Sequence, residues 1–285
     1  MKINIICSEA NGGWIYTQFI EQFKKYSKHE ILINSKESCD IYYALPYYEP
    51  FPKNAKRKTA WFSHQETKNP LKDKFTIVGK ELDFCFSHSK KYEGVLIKSG
   101  VNAEKIKQVM PGVDLEKFTQ RSTQLEARDK LVVGYIGRHY TSTNRKNIAL
   151  LQKIMKLPFV ELRATEGKIS ADQMPSFYAD LDLVVNTATT EGGPLAIIES
   201  LAVGVPIMCY EDVGVANEFN TGCLRIPFNN ENIFLARIED FWKVGVYKHF
   251  RKKNMMDKMR KQVELFTPER FVSEHDKIWE ALVKK

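Results

Sequence analysis

The stretch Asn186-Thr187-Ala188-Thr189-Thr190-Glu191-Gly192-Gly193-Pro194-Leu195-Ala196-Ile197-Ile198-Glu199-Ser200-Leu201-Ala202-Val203-Gly204-Val205-Pro206 decides how the whole chain is read. The apolar run before it, over 182–186, has the composition of a buried strand. Gly192 and Gly193 then let backbone approach a ligand with no Cβ in the way. Pro194 opens a helix where a missing N–H costs nothing, and Gly204 closes it. The spacing predicts strand, glycine loop, a helix over 194–203 and a new strand over 205–209. The helix N-terminus faces whatever the loop binds, and its partial positive charge suits a phosphate or a sugar hydroxyl. Glu191 stands just before that end. Glu199, inside the helix, is placed to accept paired hydrogen bonds from a ribose diol, as an acidic residue does in dinucleotide-binding folds.

The same alternation extends in both directions. Strand-like runs lie at 2–7, 30–34, 39–45, 58–63 and 83–87, with a helix over 14–26 marked by Ile15, Phe19, Ile20 and Phe23. A second series opens with Leu131-Val132-Val133-Gly134-Tyr135-Ile136 and continues with strands at 158–163 and 182–186 and helices near 147–156 and 173–179. Alternating strands and helices imply parallel sheets covered by helices. The polar stretch 119–130 separates the two series, which gives two doubly wound, Rossmann-like domains, 1–120 and 121–285. From about 230 the chain reads as helical.

Composition bounds the function. The 285 residues are 43% hydrophobic and 27% charged, enough for a sizeable core. The start of the chain lacks the apolar length of a secretory signal, and no run reaches the roughly 18 apolar residues that a membrane span needs. A cytoplasmic protein is expected. The five cysteines (Cys7, Cys39, Cys85, Cys209, Cys223) form no C-x-x-C pair and read as buried residues of a reducing compartment. The net charge of +8 favours anionic partners. The most basic stretch holds Lys248, Arg251, Lys252, Lys253, Lys258, Arg260 and Lys261, read as a solvated helix face with peripheral contact to acidic membrane as the alternative.

Glu191-Gly192-Gly193-Pro194-Leu195, followed by Glu199 and Gly204-Val205-Pro206, resembles the E-x7-E signature of retaining family-4 glycosyltransferases, whose fold is GT-B. Further pieces occur in that family's order: Pro111-Gly112-Val113-Asp114 with Phe118, Gly134-Tyr135-Ile136-Gly137-Arg138, and Glu218. The resemblance covers about residues 96–285. It implies transfer of a sugar, with retention, from a nucleotide diphosphate sugar (UDP- or GDP-linked) to a saccharide, lipid-linked saccharide or glycoconjugate, with no metal or other cofactor. It assigns the leaving diphosphate to Arg138 and Lys146, with Arg145 as the alternative to Lys146. Glu191 and the backbone of Gly192, Gly193, Pro194 and Leu195 are assigned to the donor sugar, and Glu199 to the ribose. In the first domain it adds Gly13, in Asn11-Gly12-Gly13-Trp14, and His64 as a sugar contact. It also implies that 268–285 packs back on that domain, which is shorter than usual for the family.

The cationic assignments have a physical basis, because bond breaking concentrates negative charge on the bridging oxygen of a diphosphate. The aromatic cluster Tyr42, Tyr43, Tyr47, Tyr48 and Phe51 reads as packing, with stacking on an acceptor sugar as the alternative. Asp180-Leu181-Asp182 spells D-x-D but precedes a strand, so it reads as a helix-to-strand junction and not a metal site. Glu166-Gly167-Lys168-Ile169 lacks the other residues of a P-loop. Two alternatives stay open: a nucleotide-sugar-binding protein without turnover, and a basic nucleic-acid-associated protein, including a DNA-modifying glycosyltransferase. No recognised nucleic-acid motif supports the latter.

Overall fold

Parallel strands need long crossovers, and among the described residues helices fill most of them. The computed structural model describes residues 1–10, 15–66, 70–124, 128–137 and 144–284. The chain divides into two units, Met1–Gly112 with Phe266–Lys285, and Val113–Leu265.

The first unit runs β1 (Lys2–Ile6), α1 (Ile15–Tyr26), β2 (Glu30–Ile33), β3 (Ile41–Ala44), β4 (Lys58–Phe62), α2 (Leu71–Glu81), β5 (Phe84–Ser87), α3 (Lys90–Lys98) and β6 (Ile106–Gln108). Its strands pair in parallel in the order β2-β1-β3-β4-β5-β6. Such strands are covered on both faces and are apolar almost continuously, as the buried Ile3, Ile5, Tyr43, Ala60, Trp61 and Phe86 show. Tyr42 and Tyr47 are buried as well, and Tyr48 and Phe51 pack against the same core, so the tyrosine-rich segment is packing.

The second unit runs β7 (Leu131–Tyr135), α4 (Ile148–Met155), β8 (Val160–Ala164), α5 (Met174–Ala179), β9 (Leu183–Asn186), α6 (Leu195–Val203), β10 (Ile207–Tyr210), β11 (Cys223–Ile226), α7 (Glu231–Lys243), α8 (Val246–Phe250) and α9 (Lys253–Val263). Its parallel order is β11-β10-β9-β7-β8. In both sheets the first strand sits between the second and the third, so each has a point where the strand order reverses. Ligands of open α/β sheets bind outside the carboxyl ends of the strands at that point. For the second unit it lies between β7 and β9.

The last helix, α10 (Pro268–Lys284), belongs to the first unit. Trp279 donates its indole N–H to Thr59 Oγ1 at 3.2 Å, and Asp276 accepts from Ser27 Oγ at 2.8 Å. His275 meets Tyr43 Oη at 3.2 Å, and burial pushes its imidazole down to about 3, so it stays neutral in the core. Gly112 is where the chain leaves this unit. A Cβ there would lie 2.0 Å from the Thr267 carbonyl carbon, so only glycine fits.

Residues 113–120 lie with the second unit. Arg260 of α9 holds them there by donating to the carbonyls of Leu115 and Phe118 at 2.7 and 2.6 Å, and to Ala202 at 2.9 Å. Arg251 is buried against Asp182 at 3.2 Å. Two cations of the basic stretch are therefore internal staples. Asp182 of the D-x-D also accepts from the Val132 amide at 3.0 Å, which joins β7 to β9 at the amino end of the sheet. All five cysteines are free and buried. Among the described residues, no helix is long and apolar enough to cross a membrane, and no group of three or more His, Cys, Asp or Glu could hold a metal ion.

Candidate active site

The carboxyl ends of β7 and β9 are joined by their following loops. After β9, Thr187 donates its hydroxyl to the Lys146 carbonyl at 2.7 Å, and the Thr189 amide donates to the Arg145 carbonyl at 2.8 Å. Arg145 Nη1 returns a bond to the Thr190 carbonyl at 3.1 Å. These backbone links fix Arg145 and Lys146 beside Glu191. Glu191 is 8% exposed, and its carboxylate receives Arg145 Nη1 at 3.0 Å on Oε2 and the Lys146 ammonium on Oε1. Lys146 also faces the end of β7, since a Cβ on Gly137 would come within 3.8 Å of its Nζ.

Among the described residues two mostly buried cations meet one carboxylate in a place of low dielectric. Positive charge is worth more there than in water, and Arg and Lys are the side chains that pair with phosphate oxygens. Asn147 follows at φ 44° and caps α4, its Oδ1 accepting from the Leu150 amide at 3.2 Å, so a second helix N-terminus opens at the same loop.

Gly192 and Gly193 pass against Gly214. A Cβ on Gly214 would stand 1.9 Å from the Gly192 carbonyl oxygen, so the loop after β10 closes on the glycine pair by direct backbone contact. The sequence reading missed Gly214, and nothing in its neighbourhood announced a close approach. Pro194 is the N-cap of α6, which begins at Leu195 and ends on Gly204 at φ 86°. Apart from Glu199 and the half-buried Leu195, every residue of α6 is buried. Glu199 is its only charged residue.

A carboxylate on a helix buried nearly all round is costly unless it is partnered or used. Glu199 Oε2 accepts from Tyr178 Oη at 2.7 Å. Burial pushes the carboxyl up to about 7, against the opposing pull of the Tyr178 bond and of Lys117. Tyr178 itself is fully buried on α5 and was not read from the sequence, where it looks like any apolar core position.

Beyond β8, Glu166 and Gly167 take φ 48° and 76°, and the Lys168 amide donates to the Thr165 carbonyl at 2.8 Å. This tight turn is tied to the end of β7 by Gly137 N–H donating to Thr165 Oγ1 at 3.1 Å.

Arg138 and Gly13 lie outside the described residues. In the first unit, His64 follows β4, with Nδ1 3.1 Å from Ser63 Oγ and Nε2 2.9 Å from Glu66 Oε1. Glu49, after β3, accepts both the amide and the hydroxyl of Ser8 at 3.0 and 2.5 Å.

Residues 165–255 match the family model described as glycosyl transferases group 1. Among solved structures, sucrose-phosphate synthase from Thermosynechococcus elongatus is similar at a TM-score of 0.75 and 13% identity, covering 100% of this chain and 99% of that one. Anabaena HepE in complex with UDP and glucose is similar at 0.71 and 13%, covering 99% and 100%. The fold is GT-B. Staphylococcus aureus TarM, in a complex that includes UDP and alpha-GlcNAc-glycerol, is similar at 0.64 and 16%, covering 86% of this chain and 55% of that one. No curated protein matches the chain. The family-model match takes in the tight turn after β8, the glycine loop, α6 and Gly214, and it excludes Arg145 and Lys146.

Proposed function

We propose that the chain is a GT-B nucleotide-sugar glycosyltransferase that acts with retention and without metal. The observation that carries this reading is the pair Arg145 and Lys146 on Glu191, at the switch point of the second sheet beside the glycine-lined start of α6. In the donor complex the diphosphate takes the two cations, joined by Arg138, and Glu191 turns to the sugar hydroxyls. The amides at the start of α6 hold the sugar, and Glu199 holds the ribose.

As the anomeric C–O bond breaks, charge grows on the departing phosphate oxygen, where preorganised cations stabilise it without reorganisation. The acceptor hydroxyl attacks C1 from the same face, and its proton passes to that departing oxygen. No protein nucleophile is needed. Gly13 and His64 are the first unit's proposed contributions, and a saccharide or glycoconjugate is the proposed acceptor. Peripheral contact with acidic membrane belongs to the same proposal.

A thermal-shift panel of UDP, GDP, CDP and ADP with their sugar conjugates, in EDTA, tests the donor site. HepE and TarM were solved with UDP, so UDP comes first. A ligand at 100 times its Kd should stabilise the fold by about 2.7 kcal/mol. Silence across the panel would overturn the reading.

A further inference from the structure

We infer that Tyr178 is a positioning residue for nucleotide binding, holding the Glu199 carboxylate in the orientation that receives the donor ribose. The inference rests on the reading that Glu199 holds that ribose. Tyr178 lies on α5 and Glu199 on α6, so the bond between them crosses from one helix to the next. The tyrosine ring is fully buried and packs near Phe118 at 6.1 Å between centroids, and its hydroxyl donates to Glu199 Oε2 at 2.7 Å.

A glutamate has three side-chain torsions, and ordering it on binding costs rotamer entropy. Fixing Oε2 on an immobile donor removes much of that freedom before the ligand arrives, and leaves Oε1 with no partner among the described residues. An O–H donor also favours the ionised carboxylate, the form that accepts two hydroxyls of a ribose. Among the described residues two titratable groups act on Glu199. Tyr178 comes from α5, and Lys117 comes from the segment ahead of β7, itself paired with Asp172 at 2.6 Å.

The test uses the full chain and whichever nucleoside diphosphate of the panel binds, together with its 2′,3′-dideoxy form, titrated by calorimetry. Tyr178→Phe keeps the buried ring and removes only the hydroxyl. It should weaken the ribose form about tenfold, leave the dideoxy form unchanged, and add nothing when Glu199 is already Ala. Affinity for the ribose form should rise with pH through about 7 in the parent protein. In Tyr178→Phe that rise should move to higher pH, a change that a packing role alone would not produce.

If Tyr178→Phe binds the ribose form like the parent, or weakens both forms alike, the inference is overturned while the ribose assignment stands. If Glu199→Ala binds the ribose form like the parent, the ribose assignment falls and the inference falls with it.

Discussion

The two sheets share a strand order, and each gathers polar side chains at its point of reversal, yet the described chemistry there is opposite. In the second unit two cations converge on one buried carboxylate beside a helix start opened by glycines. In the first unit the described groups are acids and hydroxyls that satisfy one another: Glu49 takes both donors of Ser8, and both ring nitrogens of His64 are engaged by Ser63 and Glu66. Among the described residues, a common scaffold thus carries one site where two cations meet a single carboxylate and one where carboxylates are hydrogen-bonded by a hydroxyl, an amide and an imidazole. In the proposed function the first takes the diphosphate and the second belongs to the acceptor side.

The sharpest way to break this contrast is at Lys146. Lys146→Ala should cut sugar transfer by about 100-fold or more, the usual scale for losing one preorganised stabiliser of transition-state charge. Glu49→Gln, in the first unit, should leave nucleoside diphosphate affinity within about twofold. A comparable loss of affinity in both would erase the distinction between the units.

Stability offers a second handle. Arg251→Ala strips Asp182 of its buried guanidinium and should cost about 3 kcal/mol or more, read from denaturant unfolding. Gly214→Ala forces backbone apart at Gly192 and should cost about 2 kcal/mol while also weakening nucleotide binding, whereas Arg251→Ala should affect folding alone.

The smallest effect is a pH dependence of stability at Glu199. Its folded value of about 7 lies above the ordinary carboxylate range, so the folded state holds a proton that the unfolded state has released. This raised carboxyl favours folding at low pH and loses that advantage as pH climbs towards and past 7. Glu199→Gln should therefore gain stability over the parent at pH 8, by roughly 1–2 kcal/mol, and gain little at pH 5. Melting curves at the two values decide it. An equal gain at both would mean that the carboxyl is not desolvated.

Much of the second unit was legible because its signals are local. Gly204 had to be glycine for its left-handed turn, and Gly192-Gly193-Pro194 announced a loop running into a helix within one residue of where α6 starts. The apolar runs showed β7, β9 and β10, while α2, α3, β6 and β11 went unassigned because their short or charged segments carry weak periodicity.

Tertiary pairings were not legible. Lys146, with Arg145 as its alternative, reads from the sequence as a partner of a phosphate, and the bond of Lys146 to Glu191, 45 residues on, depends on which loops the sheet order brings together. Tyr178 and Gly214 act through contacts with residues on other elements, and neither type nor spacing marks them. Arg251 and Arg260 looked like part of a solvated basic face, since composition cannot tell a staple from a surface charge.

The most direct test of the central claim is a calorimetric comparison of a nucleoside diphosphate with its monophosphate, on the parent protein and on Lys146→Ala. The parent should prefer the diphosphate by at least tenfold, and Lys146→Ala should lose most of that preference while still binding the monophosphate. Equal affinity for the two nucleotides in the parent protein, or an undiminished preference in Lys146→Ala, would contradict that claim.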